Sequence, residues 1–179
     1  MAGVSANFKP QVPRQSDLKV IFSSAGTQAP FPRLSGLLSE WALHHSNCRI
    51  FAQTADHEAT HLPFANKPFI DPETFSIKIS ESDLFVTHAG MGNIIRALEA
   101  GIPTVVLPRR HALGEHVNDH QLDTLTEFKE IPGIFPCFGD SEEFEKAMSD
   151  ALNSATRDSL IESPARQELL DAVHAFLKS

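Results

Sequence analysis

Asp83-Leu84-Phe85-Val86-Thr87-His88-Ala89-Gly90-Met91-Gly92-Asn93 runs from an apolar stretch straight into a His-Ala-Gly-Met-Gly turn. A short apolar run bounded by turn residues reads as a buried strand of a parallel sheet. Beyond the turn, Met91, Ile94, Ile95 and Leu98 share one face at helical spacing, and Gly101 with Pro103 ends that pattern. Strand, tight turn and helix in immediate succession aim backbone N–H groups and the positive end of a helix dipole at one spot. That spot suits a phosphate.

Outward from this unit the same alternation repeats. Leu18 to Phe22 reads as the first buried strand and ends in Ser23-Ser24-Ala25-Gly26-Thr27. Phe31, Leu34, Leu38 and Trp41 predict the next helix, and Cys48 to Ala52 a second strand. Residues 56–71, with Pro63 and Pro68 inside and Pro72 just after, read as loop with at most one short strand. Thr104 to Pro108 is a further apolar strand, followed by a helix expected from about His116 to Phe128. Gly133 to Phe138 reads as a last strand, which Pro136 assigns to an edge. Asp140 and Glu143 open a helix in the manner of a capping box, with Phe144, Ala147, Met148, Ala151 and Leu152 on its apolar face. A final helix is expected to start at Ser163-Pro164 and bury Leu169, Leu170, Val173, Phe176 and Leu177. The fold class is therefore α/β, a Rossmann-like parallel sheet with helices on both faces.

Composition limits what such a domain can do. At 179 residues one domain over 18–179 is expected, preceded by a flexible N-terminal tail over 1–17 that has no apolar run and is no signal peptide. A net charge of −8 disfavours nucleic acid, whose phosphates require a basic face. No stretch approaches the apolar length of a membrane span. Cys48 and Cys137 lie far apart without metal-site spacing, as buried thiols of a cytoplasmic protein do.

In open parallel sheets, ligands bind at the carboxyl ends of strands near the topological switch point. Two glycine-containing loops fall at such ends, Ser24 to Thr27 and His88 to Gly92. Gly90 and Gly92 would let backbone approach a diphosphate, or would serve only the angles of a tight turn. The dinucleotide fingerprint fits poorly, since its third glycine is missing and the motif lies halfway along the chain. His116 and His120, four apart, would share a helical face, but no third ligand accompanies them and no metal is expected. His88 ends its strand at the presumed ligand edge, where it either closes the turn or contacts ligand. Arg109-Arg110 follow another strand, either facing a phosphate or carboxylate or standing as an exposed pair.

From Leu18 to Gln121 the chain resembles the small subunits of split GT-B glycosyltransferases, the Alg13-like proteins and the exopolysaccharide subunits of the PssE or EpsE kind. The resemblance is carried by Gly26-Thr27-Gln28-Ala29-Pro30-Phe31-Pro32-Arg33-Leu34, by Ala52-Gln53-Thr54, by His88-Ala89-Gly90-Met91-Gly92, and by Gly114-Glu115-His116 with Asp119-His120-Gln121. It implies the C-terminal, nucleotide-sugar half of a GT-B enzyme, the glycosyltransferase family 28 C-terminal domain.

The resemblance further implies a cytoplasmic donor-binding subunit of a two-component inverting glycosyltransferase, acting in exopolysaccharide or lipid-linked saccharide synthesis. The donor would be a UDP-sugar, with no cofactor and no obligatory metal. The acceptor site would lie on a membrane-associated partner of Alg14 or PssD type, which recruits the chain to the inner face of a membrane. Gly26 and Thr27, with Gly90, Met91, Gly92 and Asn93, would hold the diphosphate. Arg109 or Arg110 would help stabilise the leaving UDP, and Glu115 with Asp119 to Gln121 would approach the donor sugar. The catalytic group is not identified, His88 being the one candidate. In this family a glutamate five residues before the Gly-x-Pro grips the ribose; Arg96 stands there, with Glu99 one turn on, and Asn93 replaces a Thr or Ser. Arginine accepts no hydrogen bond. Either Glu99 or another group substitutes, or the chain is a degenerate donor domain that stabilises or regulates its partner.

Overall fold

A computed structural model of the chain describes residues 18–154 together with 160, 162, 164, 167, 168, 170 and 171. The expected N-terminal tail and most of the expected last helix lie outside the described residues. Of that helix, Leu170 is described and is buried.

Twelve elements follow one another over the described residues 18–154. They are β1 (Lys19–Ser24), α1 (Pro32–His44), β2 (Cys48–Gln53), β3 (Ala65–Lys67), α2 (Pro72–Glu81), β4 (Leu84–His88), α3 (Met91–Ala100), β5 (Thr104–Leu107), a 3₁₀ turn (His111–Leu113), α4 (His120–Phe128), β6 (Ile134–Pro136) and α5 (Ser141–Leu152). All six strands are parallel, in the order β3-β2-β1-β4-β5-β6. Chain order reverses between β1 and β4, which pair Ser24 with Thr87 at their carboxyl ends. This is the doubly wound order with its switch point between the two central strands.

Strand side chains divide the core in two. Ile21, Ile50, Leu84, Val86, Val105 and Leu107 point to one face and pack with Leu34, Leu38 and Trp41 of α1 and Phe144, Ala147 and Met148 of α5. Phe22 and Phe85 point to the other face and meet Phe75 and Ile79 of α2 and Ala97 of α3. Val106 joins Ile94 and Leu98 of α3 with Leu125 and Phe128 of α4 on that same side. The central strands β1, β4 and β5 are buried on both faces, which is why they read as apolar runs, whereas the edge strand β3 is largely exposed. Helices on both faces of a parallel sheet, with β6 and its Pro136 at an edge, agree with the sequence reading.

Two elements differ from it. Helix α2 begins right after the segment read as loop and was not foreseen, although Asp71-Pro72 is a strong start signal. The Asp71 carboxylate accepts from Thr74 N at 2.8 Å, and Pro72 occupies the first helical position. Helix α4 begins at His120 instead of His116. Residues 111–119 spend their hydrogen bonds elsewhere: Asp119 accepts from His111 N at 2.8 Å, and Glu115 N donates to Arg110 O at 3.1 Å. The other helix signals hold. Gly101 ends α3 in the left-handed conformation at φ 61°, and Asp140 caps α5 through Glu142 N and Glu143 N. Glu143 reaches back to Phe138 N at 2.9 Å instead of to the cap residue itself.

Candidate functional site

A cleft of about 490 Å³ opens at the switch point, above the carboxyl ends of β1 and β4. Gly26, Thr27, His88, Gly90, Met91, Gly92, Asn93, Arg109 and Gln121, all candidates from the sequence, line it together. Glu99, Glu115 and Asp119 do not. Glu99 is exposed on α3; Glu115 is paired with Arg33; exposed Asp119 caps the loop at His111. His120, expected near the donor sugar, also lines the cleft, as do Arg96 at the expected ribose position and His116, while Gln53, Ile70, Pro72 and Phe75 line it without having been assigned a role at the site.

The floor is set by His88. Its imidazole stands between the two glycine loops, and an ideal Cβ on Gly26 would lie 2.6 Å from His88 Cε1. A Cβ on Gly90 would lie 2.8 Å from the same atom and closer still to Nε2. Gly26 has a second reason to be glycine, since its φ is +85°. Burial lowers the His88 pKa to about 4, with the charges of Arg109 and His116 acting the same way and the Ser24 carbonyl opposing. The ring is therefore neutral at physiological pH. Gly92 differs, because a Cβ there would meet nothing within 4 Å.

Behind the floor a polar network ties the loops to one another. Ser24 Oγ accepts from Gly26 N at 3.1 Å, Gln53 Nε2 at 3.3 Å and Asn93 Nδ2 at 3.4 Å. Thr87 Oγ1 donates to Ser24 O at 2.9 Å and accepts from Asn93 Nδ2 at 2.8 Å. Gln53 is almost fully buried and joins three segments. It donates to Gly26 O at 2.9 Å and accepts from Ile70 N at 3.2 Å. The tripeptide Ala52-Gln53-Thr54 was visible in the sequence as a strand end, but a strand-end glutamine gives no sign of which loops it will bridge.

Arg109 plays the same part for the first loop. The side chain is buried, and its guanidinium donates to Ala25 O at 3.0 Å, Ala29 O at 2.6 Å and Pro30 O at 2.8 Å. It also lies 4.4 Å from the centroid of the Phe31 ring. Burial lowers its pKa, Glu115 opposing, yet a guanidinium stays charged. With those N–H groups on carbonyls, Arg109 positions loop 25–30. Glu115 binds Arg33 in two-pronged fashion, at 2.8 and 2.9 Å, and accepts from Arg110 N at 3.0 Å, so that it holds the far loop against α1.

Over this floor α3 begins. Gly90 N donates to His88 O at 2.8 Å, and no side chain caps the helix at Gly90. Asn93 N donates to Gly90 O at 3.0 Å, which leaves the amides of Met91 and Gly92, both lining the cleft with Gly26 and Thr27, without a partner in the helix. The lining includes an apolar group, Ile70, Pro72 and Phe75, and a polar group, His116, His120 and Gln121. His116 and His120 meet edge to face at 4.5 Å between ring centroids, brought together by the loop and not by a shared helical face.

A family model described as glycosyltransferase family 28 C-terminal domain matches residues 42–131, half of the chain, from the end of α1 to just before β6. No curated protein sequence matches significantly. Among solved structures, the kitacinnamycin glycotransferase superposes with a TM-score of 0.64 at 18% identity, over 95% of this chain and 43% of that one. The solution structure of ALG13 gives 0.54 at 15% identity, over 83% of this chain and 98% of that one. MurG of Acinetobacter baumannii gives 0.57 at 19% identity, over 92% and 55%. The chain thus spans under half the length of the first of these proteins and nearly all of the second. At such identities the likeness is one of fold, and the fold is that of C-terminal halves of GT-B glycosyltransferases.

Proposed function

Because this chain belongs to the glycosyltransferase family 28 C-terminal domain family, we propose that it is the UDP-sugar-binding subunit of a two-component inverting glycosyltransferase. The observation that carries the reading is the cleft itself, with the open first turn of α3 and the Gly26–Thr27 loop meeting over a neutral His88. A diphosphate placed there accepts hydrogen bonds from N–H groups whose partial positive charge needs no reorganisation as the leaving group gains charge. The base lies on the apolar wall of Ile70, Pro72 and Phe75, and the donor sugar extends toward His116, His120 and Gln121. Transfer is a single in-line displacement, and the nucleophile and its base come from the acceptor side.

That acceptor side is a separate, membrane-associated chain of Alg14 or PssD type. The reading draws on the likeness in fold to ALG13, of which this chain covers 98%. No helix among the described residues is long and apolar enough to cross a membrane. Membrane recruitment, and a role in exopolysaccharide or lipid-linked saccharide assembly, would come with the partner.

A second reading keeps the architecture and removes the chemistry. Arg96 in the cleft wall accepts no hydrogen bond from a ribose, which is what a degenerate donor domain that only stabilises its partner would show. Co-purification with a candidate acceptor subunit and a sugar-transfer assay separate the two. The enzyme reading requires transfer that depends on this chain and stops with Gly92→Asp. Transfer that persists in the Gly92→Asp complex favours the regulatory reading, and no transfer with any candidate subunit contradicts the enzyme reading.

A further inference from the structure

The chain carries 23 Asp and Glu residues against 15 Lys and Arg, yet among the described residues no carboxylate lines the cleft. Its ionisable lining is Arg96, Arg109, His88, His116 and His120. Arg109 is committed to the carbonyls of loop 25–30, and His88 is neutral. Arg96 is different. It is exposed, lines the cleft, and has no salt-bridge partner among the described residues.

Its position is fixed by packing. The guanidinium carbon lies 5.0 Å from the centroid of the Phe75 ring. That ring is itself held edge-on by Phe22 at 5.0 Å and by Phe85 at 6.1 Å. Stacking on an aromatic face engages the guanidinium plane and leaves its N–H edges free to donate. Arg96 is the sixth residue of α3, about 7–8 Å along the axis from Met91, and one turn beyond Asn93 on the cleft-facing side. A cation thus stands at the apolar end of the cleft, apart from the helix terminus, where no carboxylate accepts hydrogen bonds from sugar hydroxyls.

We propose that the cleft takes a nucleotide carrying an oxyanion in addition to its diphosphate, and that Arg96 receives that oxyanion through its free N–H edges. The inference rests on the donor-binding reading above and names the class of donor. The apolar neighbours of Arg96 place it at the nucleoside end, away from the donor sugar, so the oxyanion is a phosphate ester on the ribose, which a guanidinium binds in two-pronged fashion.

The test is calorimetric titration of the whole chain with two matched pairs, uridine 3′,5′-bisphosphate against UMP and UDP-glucuronic acid against UDP-glucose, with UDP as reference. The expected result is that uridine 3′,5′-bisphosphate binds about five- to tenfold tighter than UMP at low salt, with no preference in the second pair. That preference disappears in Arg96→Gln and survives in part in Arg96→Lys. A preference confined to the second pair would place the cation at the sugar and overturn the inference. UDP binding with no preference in either pair, or a preference that Arg96→Gln leaves intact, overturns this inference alone. Absence of UDP binding overturns the donor-site reading as well.

Discussion

The imidazole of His88 fills the space that a side chain on Gly90 would need, with Cε1 2.8 Å from the ideal Cβ position and Nε2 closer. The glycine of the signature turn is therefore required by a neighbour inside the fold, before any ligand is considered. The same ring excludes a side chain at Gly26, so one buried histidine sets the separation of the two loops that face the cleft.

Gly90→Ala should destabilise the chain by about 1–3 kcal/mol, the cost of overpacking a rigid site. Gly92→Ala, in open space in the first turn of α3, should change stability by less than about 1 kcal/mol, with alanine's helix preference favouring it. Adding His88→Ala to Gly90→Ala should recover part of the loss. Urea unfolding of wild type, Gly90→Ala, His88→Ala and the double variant gives the coupling; strictly additive effects would show that the ring and the glycine do not compete.

Acid should destabilise the protein through His88. Its pKa is near 6.5 when unfolded and about 4 when folded, so between those values the unfolded chain binds more protons than the native one. Stability then falls as pH drops through that window, by up to about 3 kcal/mol. His88→Gln should flatten this part of the curve. Parallel pH profiles for the two chains would rule out burial of a neutral imidazole.

Arg109→Ala should cost about 3 kcal/mol or more, because it leaves the carbonyls of Ala25, Ala29 and Pro30 without their donor. Arg109→Lys should recover less than half, since an ammonium cannot span three carbonyls with a planar fork. The denaturation midpoints measure this directly. Wild-type stability in Arg109→Lys would mean that charge, and not geometry, holds the loop.

Gln53→Leu should cost about 1–3 kcal/mol by leaving Gly26 O and Ile70 N without their partner. Amide exchange at Ile70 should speed up in the variant. Unchanged protection there would indicate that loop 56–71 is held by other contacts.

The sheet was legible because parallel strands buried on both faces leave plain apolar runs, and because Gly101, Asp140 and Pro136 mark a helix end, a helix start and an edge strand. Helix α2 was missed where prolines drew the reading toward loop, although Asp71-Pro72 carries its own start signal. The start of α4 was placed four residues early, since Asp119 and Glu115 redirect the loop's hydrogen bonds through partners that spacing does not reveal. In the site, motif glycines and His88 were found from the turn pattern. Gln53 and the role of Arg109 were not, because a bridging amide or a buried guanidinium is defined by carbonyls far away in sequence, such as Gly26 O and Ala29 O. Glu115 carries a family motif and yet serves Arg33, which only the fold could show.

The central claim is that the open turn of α3 holds the diphosphate of a uridine nucleotide. Calorimetric titration of the native chain with UDP, CMP as control, tests it against Gly92→Asp, which adds a carboxylate beside the helix terminus where the structure has room for one. The account predicts selective UDP binding by the native chain, weakened about tenfold or more in Gly92→Asp, at an unchanged melting temperature. Equal binding of UDP and CMP, or UDP affinity unaffected by Gly92→Asp in a folded chain, would contradict it.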